Sequence, residues 1–243
     1  AIRRQRQMCI RDRGGTAVGT GINCPEGFPE KSIARIAEDT GLPFVEAGNH
    51  FEAQAARDAA VELSGVLKTV AVSAYRIAND LRFLGSGPRC GIGEVLLPAT
   101  QPGSSIMPGK VNPVMSEMLI QVAMRVMGND VAVTAGGASG VFELNVAIPL
   151  IADALLESIH LLANGCNTFV EKCLDGLEAD EERCAELIEK SLMLCTPLAP
   201  AIGYDRAAAI AKKAHLERKT VRQVATEEGI ENLGEILDIR KMT

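Results

Sequence analysis

Apolar side chains recur at three- and four-residue steps along most of the chain, and this spacing predicts long amphipathic helices. The longest such stripe runs from about Phe51 to Leu84, a stretch without proline. Three- and four-residue steps place side chains on one face of a helix. About 33 residues at a rise of 1.5 Å would span roughly 50 Å. We therefore expect this helix to pack against other long helices, some of them from partner subunits.

The same spacing predicts three further helices before residue 180. A short one begins at Pro29 and ends near Gly41. Two long ones follow, from Pro113 to about Ala135 and from Pro149 to about Leu174. No segment alternates apolar and polar residues over a useful length, so no substantial strand is expected. The predicted fold is all-α, an elongated bundle of long helices.

The pattern changes to shorter helices after Leu177. Asp180 and Asp205 are each expected to cap a helix, and Thr220 with Gln223 matches a capping box. We therefore predict a central helical-bundle domain over residues 14–179 and a small helical C-terminal domain over residues 180–243.

The first thirteen residues differ from the rest, because Arg and Gln dominate the stretch from Arg3 to Gln7. A basic arm that binds nucleic acid is one interpretation. A non-native segment left by cloning or sequence assembly is the interpretation we prefer. Residues 1–13 are therefore excluded from the fold prediction.

Composition narrows the classes of function. The chain is 47% hydrophobic with 3% aromatic residues and no Trp, so its core must be built from small and aliphatic side chains that let helices approach closely. A net charge of -6 argues against a nucleic-acid partner. No apolar run reaches the length of a membrane span, and no signal peptide is recognised. A membrane association is therefore not expected either.

Cysteine and histidine usage bears on metals and on the compartment. The seven cysteines form no C-x-x-C pair, and with three histidines no zinc-site spacing appears. We therefore expect no metal and no cofactor. Scattered cysteines in an odd number are typical of reduced thiols, which predicts a cytoplasmic location.

The segment 103–113 carries the chemistry of greatest interest. It holds Ser104, Ser105, Lys110 and Asn112 between glycines and prolines. Asn112 is expected as the N-cap of the following helix, and a helix N-terminus favours an anion. The segment therefore predicts a loop that binds a carboxylate or phosphate and that offers a hydroxyl base. In the alternative interpretation, its Ser and Asn side chains only cap backbone groups.

Over its eleven positions this segment resembles the signature loop of the fumarase/aspartase superfamily, in the version of class II fumarases and aspartases. Other stretches between residue 14 and residue 243 are similar to the same family. They are residues 15–21, 77–82, 86–91, 128–130, 136–145, 202–205 and 211–214. Gly109 and the stretch 136–145 favour class II fumarases over aspartases.

The resemblance implies reversible hydration of fumarate to (S)-malate, a small dicarboxylate substrate and a homotetramer. It assigns Ser104 as the base that removes the proton next to a carboxylate. A serine hydroxyl is too weak an acid for this role unless N–H groups and Lys110 stabilise its alkoxide. By the same resemblance Ser105, Lys110 and Asn112 hold a substrate carboxylate.

Glu117 follows the loop on the first turn of the predicted helix. In the family the matching Glu pairs with a histidine that handles the proton of water, a familiar acid–base arrangement. Alternatively, Glu117 only complements the helix dipole.

That histidine marks a departure from the family, because it lies in a Thr-His motif. His50, His160 and His215 do not follow a Thr, and each is expected to be a structural or surface group. The sequence is therefore interpreted as the C-terminal half of such an enzyme. It is expected to be inactive alone, because the N-terminal half is missing and this half supplies only one part of a site that the family builds from three subunits.

Two other functions stay open at this stage. One is an aspartate ammonia-lyase of the same superfamily. The other is a non-catalytic structural member that kept the bundle, although the intact Ser104, Lys110 and Asn112 argue against decay of the loop.

Overall fold

The computed structural model of the 243-residue chain describes residues 11–12, 16–101, 103 and 105–241. These residues form two compact units. The first contains the chain up to Phe83 together with Pro98–Gly176, and the second contains Leu84–Leu97 together with Leu177–Thr243. The domain boundaries predicted from sequence stay a prediction, although the structure groups residues 84–97 with the C-terminal part.

Helices dominate both units, which confirms the all-α prediction. The first unit contains α1 (Phe28–Thr40), α2 (His50–Ala55), α3 (Asp58–Leu84, whose last residue is grouped with the second unit), α4 (Val114–Ala138) and α5 (Ile148–Phe169), and α5 continues into a π-helical turn (Val170–Leu174). The described strands are two residues long. In the first unit β1 (Arg11–Asp12) pairs in parallel with β2 (Val45–Glu46). Arg11 and Asp12 are the only described residues of the segment 1–13 interpreted as non-native, and the remainder lies outside the described residues.

Small side chains form much of the core of the first unit. Ala71 on α3 and Ala123 on α4 have no exposed surface and cluster with Val126 and Leu162. A second cluster joins Val133 on α4 to the α5 residues Ile151, Ala154 and Leu155. The backbones of α4 and α5 approach closely along their length, which small side chains allow.

The single helix predicted over residues 51–84 is interrupted in the structure. Ala56 has an extended backbone, which separates α2 from α3. Arg57 accounts for the break, because its guanidinium donates to the carbonyl oxygens of Ala53 at 3.1 Å and Gln54 at 2.8 Å. These are carbonyls at the end of α2 that no longer have a partner within the helix. The apolar spacing continues across the break, so periodicity alone could not find it.

The second unit is a cluster of short helices. They are α6 (Glu181–Lys190), a 3-10 turn (Leu192–Cys195), α7 (Leu198–Ile202), α8 (Tyr204–Glu217), α9 (Val221–Glu227), α10 (Leu233–Ile236) and a second 3-10 turn (Ile239–Lys241). Strand β3 (Val95–Leu96) pairs antiparallel with β4 (Glu178–Ala179). Leu194, Leu198, Val221 and Val224 lie at the centre of its core with at most 1% of their surface exposed.

Capping decides where these helices begin. The side chain of Asp180 accepts from the Arg183 N–H at 2.9 Å, and Thr220 with Gln223 forms the predicted capping box. The predicted cap at Asp205 is wrong, because α8 begins at Tyr204 and Asp205 already lies in its first turn. The N-cap is Gly203, with φ +87°. Glycine tolerates this backbone conformation, so α8 begins at a glycine turn and has no side-chain cap.

None of the helices in the described ranges is long and apolar enough to cross a membrane.

Candidate functional site

The signature loop closes on itself in the structure. A Cβ placed on Gly103 would lie 2.3 Å from the carbonyl oxygen of Lys110, so only glycine allows the two backbones to approach this closely. The turn between them is fixed by the Lys110 N–H, which donates to the Met107 carbonyl at 3.2 Å, and by Gly109 at φ +82°. The loop therefore holds Lys110 beside the residue that precedes the two serines.

The predicted base, Ser104, lies outside the described residues. Its neighbours Gly103 and Ser105 are both described and exposed. The exposed side chain of Lys110 forms no ion pair with any described residue. An accessible ammonium group on a closed loop is suited to bind an anion from solvent.

Asn112 does not cap the following helix, so that prediction is wrong. Helix α4 begins at Val114, and Pro113 occupies the N-cap position without a side-chain cap. The Asn112 carbonyl accepts from the Val114 N–H at 2.8 Å. The exposed amide side chain makes no hydrogen bond with the described residues, so it stays open to an external acceptor or donor.

Glu117 lies in the first turn of α4, as predicted. Its N–H donates to the Pro113 carbonyl at 3.0 Å, and its side chain is half-buried. No described histidine pairs with it. His50 lies 2.9 Å from Glu46, His160 is exposed within α5, and His215 is exposed in the last turn of α8.

Sequence reasoning missed two buried residues beside the start of α4, Ser116 in its first turn and Cys173 in the π-helical turn. Ser116 is 1% exposed, and its hydroxyl oxygen has no hydrogen-bond partner of good geometry among the described residues. The buried Cys173 thiol of the π-helical turn faces it. Burial raises the pKa of Cys173, and the neighbouring Ser116 offsets part of that effect. A five-residue π-helical turn leaves no periodicity signal, so this contact could not be read from the sequence.

No group of three or more His, Cys, Asp or Glu in the described ranges is arranged to hold a metal ion.

Two family models match the chain. A lyase family model covers residues 3–128, just over half of the chain. A second model, described as the C-terminus of fumarase C, covers residues 194–243. The first match begins inside the segment 1–13 that was set aside in the sequence analysis.

Curated relatives agree with these matches. The chain is 58% identical over 218 residues to fumarate hydratase 1, mitochondrial, of Arabidopsis thaliana. The matched region covers 90% of this chain and 44% of that protein. It is 56% identical over 216 residues to fumarate hydratase, mitochondrial, of Homo sapiens, with coverage of 89% and 42%. The chain thus spans less than half the length of these relatives.

Solved structures give the same picture. A class II fumarase of Schistosoma mansoni is 39% identical with a TM-score of 0.89, over 98% of this chain and 53% of that one. A Brucella melitensis protein titled fumarate lyase:delta crystallin, bound to cobalt, is 46% identical with a TM-score of 0.88, over 95% and 50%.

The cytoplasmic location predicted from cysteine usage is contradicted by these relatives. The Arabidopsis protein above and the human and Danio rerio fumarate hydratases are named as mitochondrial. Unpaired cysteines indicate a compartment in which thiols stay reduced, and this criterion does not identify the compartment as the cytosol.

Proposed function

Because the chain belongs to the fumarase/aspartase superfamily of lyases, we propose that it contributes the signature-loop part of a class II fumarate hydratase. The protein that contains it would hydrate fumarate to (S)-malate and catalyse the reverse reaction. The observation that carries the proposal is the closed loop 103–113. The approach of Gly103 to Lys110 holds Lys110 beside the residue that precedes the two serines in the sequence.

The chemistry requires a base and fixed positive charge. Removing the C–H proton next to a carboxylate of malate produces a dianionic, enolate-like centre, and such a centre needs donors positioned where the charge develops. We assign the proton removal to Ser104. Lys110 stabilises both the serine alkoxide and the substrate carboxylate, while Ser105 and Asn112 complete the carboxylate contacts.

Support for the carboxylate contacts comes from exposure and from missing internal partners. Lys110 and Asn112 are exposed, and their side chains make no ion pair or hydrogen bond with the described residues. A ligand can therefore bind these side chains without breaking a contact within the described part of the chain. These two side chains stay available for a ligand.

Glu117 has a positioning role in this proposal. Its backbone is fixed in the first turn of α4, next to the fully buried Ser116. A carboxylate held in this way can orient an imidazole that moves the proton of water. The three histidines of this chain have other surroundings, so the imidazole would come from another segment or subunit of the complete enzyme.

A homotetramer is the second part of the proposal. Large apolar side chains remain exposed on the bundle helices, including Val70 and Ile77 on α3, Val131 on α4 and Leu156 on α5. Exposed apolar surface of this kind is typical of a subunit interface. Association would also bring loops from several subunits to one site.

The proposal is tested by completing the chain with a relative. The N-terminal part of the Arabidopsis fumarate hydratase would be joined ahead of residue 14, and the purified chimera would be assayed with malate, fumarate and aspartate. We expect turnover of malate and fumarate. Ammonia release from aspartate would favour the aspartase alternative. A folded tetrameric chimera that acts on none of the three would favour a non-catalytic member of the family.

A further inference from the structure

The second unit contains an open pocket that the proposed lyase chemistry does not use. Its volume is about 460 Å³, and it is lined by the end of α6, the 3-10 turn that follows, the end of α8 and the turn before α9. This volume lies in the range of about 300–1,000 Å³ that is usual for small-molecule sites. The pocket is therefore large enough for an organic ligand.

Basic side chains line the pocket wall. Lys190, His215, Arg218 and Lys219 line it, and the lining described here contains no acidic residue. Leu192 and Ala214 supply an apolar part of the surface. A ligand that matches this lining carries negative charge at one end and apolar surface at the other.

The two lysines are held in place by acidic neighbours. Lys190 bonds Glu186, and Lys219 bonds Glu217 at 2.7 Å and Glu227 at 2.8 Å. The hydrogen bonds that Lys219 donates to Glu217 and Glu227 raise the pKa of Lys219. The ammonium group of Lys219 therefore stays charged. The three carboxylates beside the two lysines offset most of the positive field of these lysines.

Arg218 is different, because its guanidinium has no ion pair or hydrogen bond with the described residues. A guanidinium offers five donors in a fixed planar fork that matches an oxyanion. Arg218 is thus the group on this wall whose donors remain unused.

The backbone of Arg218 strengthens the case for a role of its side chain. Its φ of 55° and ψ of 35° lie in the left-handed region, where its N–H bonds the Ala214 and His215 carbonyls and ends α8. Glycine is the usual residue at this position. A residue with a Cβ is strained in this conformation, so the turn itself would be more stable with glycine than with arginine.

We propose that this pocket binds a small phosphorylated organic molecule. Arg218 donates two hydrogen bonds to the phosphate, Lys190 and Lys219 add positive charge, and Leu192 and Ala214 contact the organic part. Phosphate is favoured because the planar fork of Arg218, which has no carboxylate partner among the described residues, matches two phosphate oxygens. An organic part is favoured because the pocket is much larger than a phosphate ion.

Calorimetric titration of the chain with AMP, inorganic phosphate and citrate tests this proposal. We expect saturable binding of AMP, with at least tenfold weaker binding of phosphate and of citrate. Arg218→Gln keeps a polar side chain with an N–H donor group and removes the charge and the fork, so it should weaken AMP binding at least tenfold. Arg218→Gly should weaken it as much while leaving the melting temperature unchanged or higher, because glycine fits this backbone. Arg240→Ala removes an exposed arginine of the same unit and should leave binding unchanged.

The proposal is overturned if the folded chain shows no saturable AMP binding, or if Arg218→Gln binds AMP as tightly as the unchanged chain. Equal affinity for AMP and inorganic phosphate would also contradict it, since the apolar wall would then play no part. All three outcomes are independent of fumarate turnover, so the proposed lyase activity stands or fails separately.

Discussion

Individual residues explain where this chain follows simple sequence rules and where it departs from them. Asp130 is a buried carboxylate on α4, 5% exposed. Burial alone would raise its pKa, but hydrogen bonds from Lys68 at 2.6 Å and Ser64 at 2.8 Å, with the charge of Lys68, keep its pKa below the ordinary value of 3.8. This ionised carboxylate links α4 to α3.

Lys68→Met tests the Asp130 contact. The variant removes one charged hydrogen bond and leaves a buried carboxylate with only Ser64, so it should lower the free energy of unfolding at pH 7 by about 1–3 kcal/mol. The lowered pKa of Asp130 means that its stabilising effect is complete above about pH 4 and disappears as pH falls through the folded-state pKa. Urea unfolding should therefore show the variant and the parent converging below about pH 4.

Lys172→Met is the matched control, because among the described residues Lys172 pairs only with its exposed neighbour Glu171 at 3.4 Å. It should change the unfolding free energy by less than about 0.5 kcal/mol at either pH. A loss for Lys68→Met that is as large at pH 3 as at pH 7 would show that Asp130 ionisation is not involved.

Two glycines of α4 offer a direct test of packing. A Cβ on Gly136 would lie 2.8 Å from Ile151 Cγ1, whereas a Cβ on Gly128 would meet nothing within 4 Å. Gly136→Ala should therefore destabilise the chain by about 1–3 kcal/mol through overpacking. Gly128→Ala should stabilise it by about 0.5–1 kcal/mol, because alanine favours the helix. Thermal unfolding of both variants gives the comparison, and equal signs would contradict the packing of α4 against α5.

At the scale of elements, the sequence predicted which helices exist better than where they end. The apolar spacing correctly indicated α4, α5 and most of α3, because each buries one face. It could not show the break at Ala56, since Arg57 ends α2 through side-chain bonds to nearby carbonyls. Capping preferences placed the N-cap of α4 at Asn112 and its first residue at Pro113, but Pro113 is the N-cap and the helix begins at Val114.

The segment 84–97 shows a contact of long range that no local pattern could reveal. Arg183 on α6 donates to the Ile92 carbonyl at 2.8 Å and the Gly91 carbonyl at 2.9 Å, and it pairs with Glu186 at 2.6 Å. The two bonds to carbonyls connect residues that lie 91 and 92 positions apart. Together with the β3–β4 pair they explain why the segment belongs to the second unit.

Arg183→Ala should loosen this segment selectively. Hydrogen bonds to a charged donor contribute about 1.5–3 kcal/mol each when both partners are removed from water, and less when exposed. Arg183 is half-buried, so amides around residues 86–97 should exchange with solvent about tenfold faster or more, as mass spectrometry can measure.

Arg240→Ala removes an exposed ion pair with Asp238 and should leave that exchange unchanged. If the amides of residues 86–97 exchange as slowly in Arg183→Ala as in the unchanged chain, the Arg183 side chain does not hold this segment in place.

For the whole molecule, family membership can be recognised from sequence motifs. The arrangement of the site cannot be predicted from those motifs, because it depends on tertiary contacts. The loop 103–113 was recognisable because eleven consecutive positions match one signature, and the structure adds its closure between Gly103 and Lys110. The proximity of Ser116 to Cys173 and the pocket beside Arg218 arise from tertiary contacts between segments that are separate in the sequence. The chain spans less than half of its curated relatives, so the remaining groups of the site are part of the proposal.

The most direct test of this account is the turnover number of the chimera that carries Ser104→Ala, measured with malate and compared with Ser105→Ala. Loss of a general base typically costs 10²–10⁴-fold in rate. We predict that Ser104→Ala lowers kcat by at least about 10²-fold with KM changed by less than about threefold. Ser105→Ala should act mainly on KM, because its role is to hold the carboxylate. A Ser104→Ala chimera that folds, assembles and retains the kcat of the unchanged chimera would contradict the assignment of Ser104 as the base.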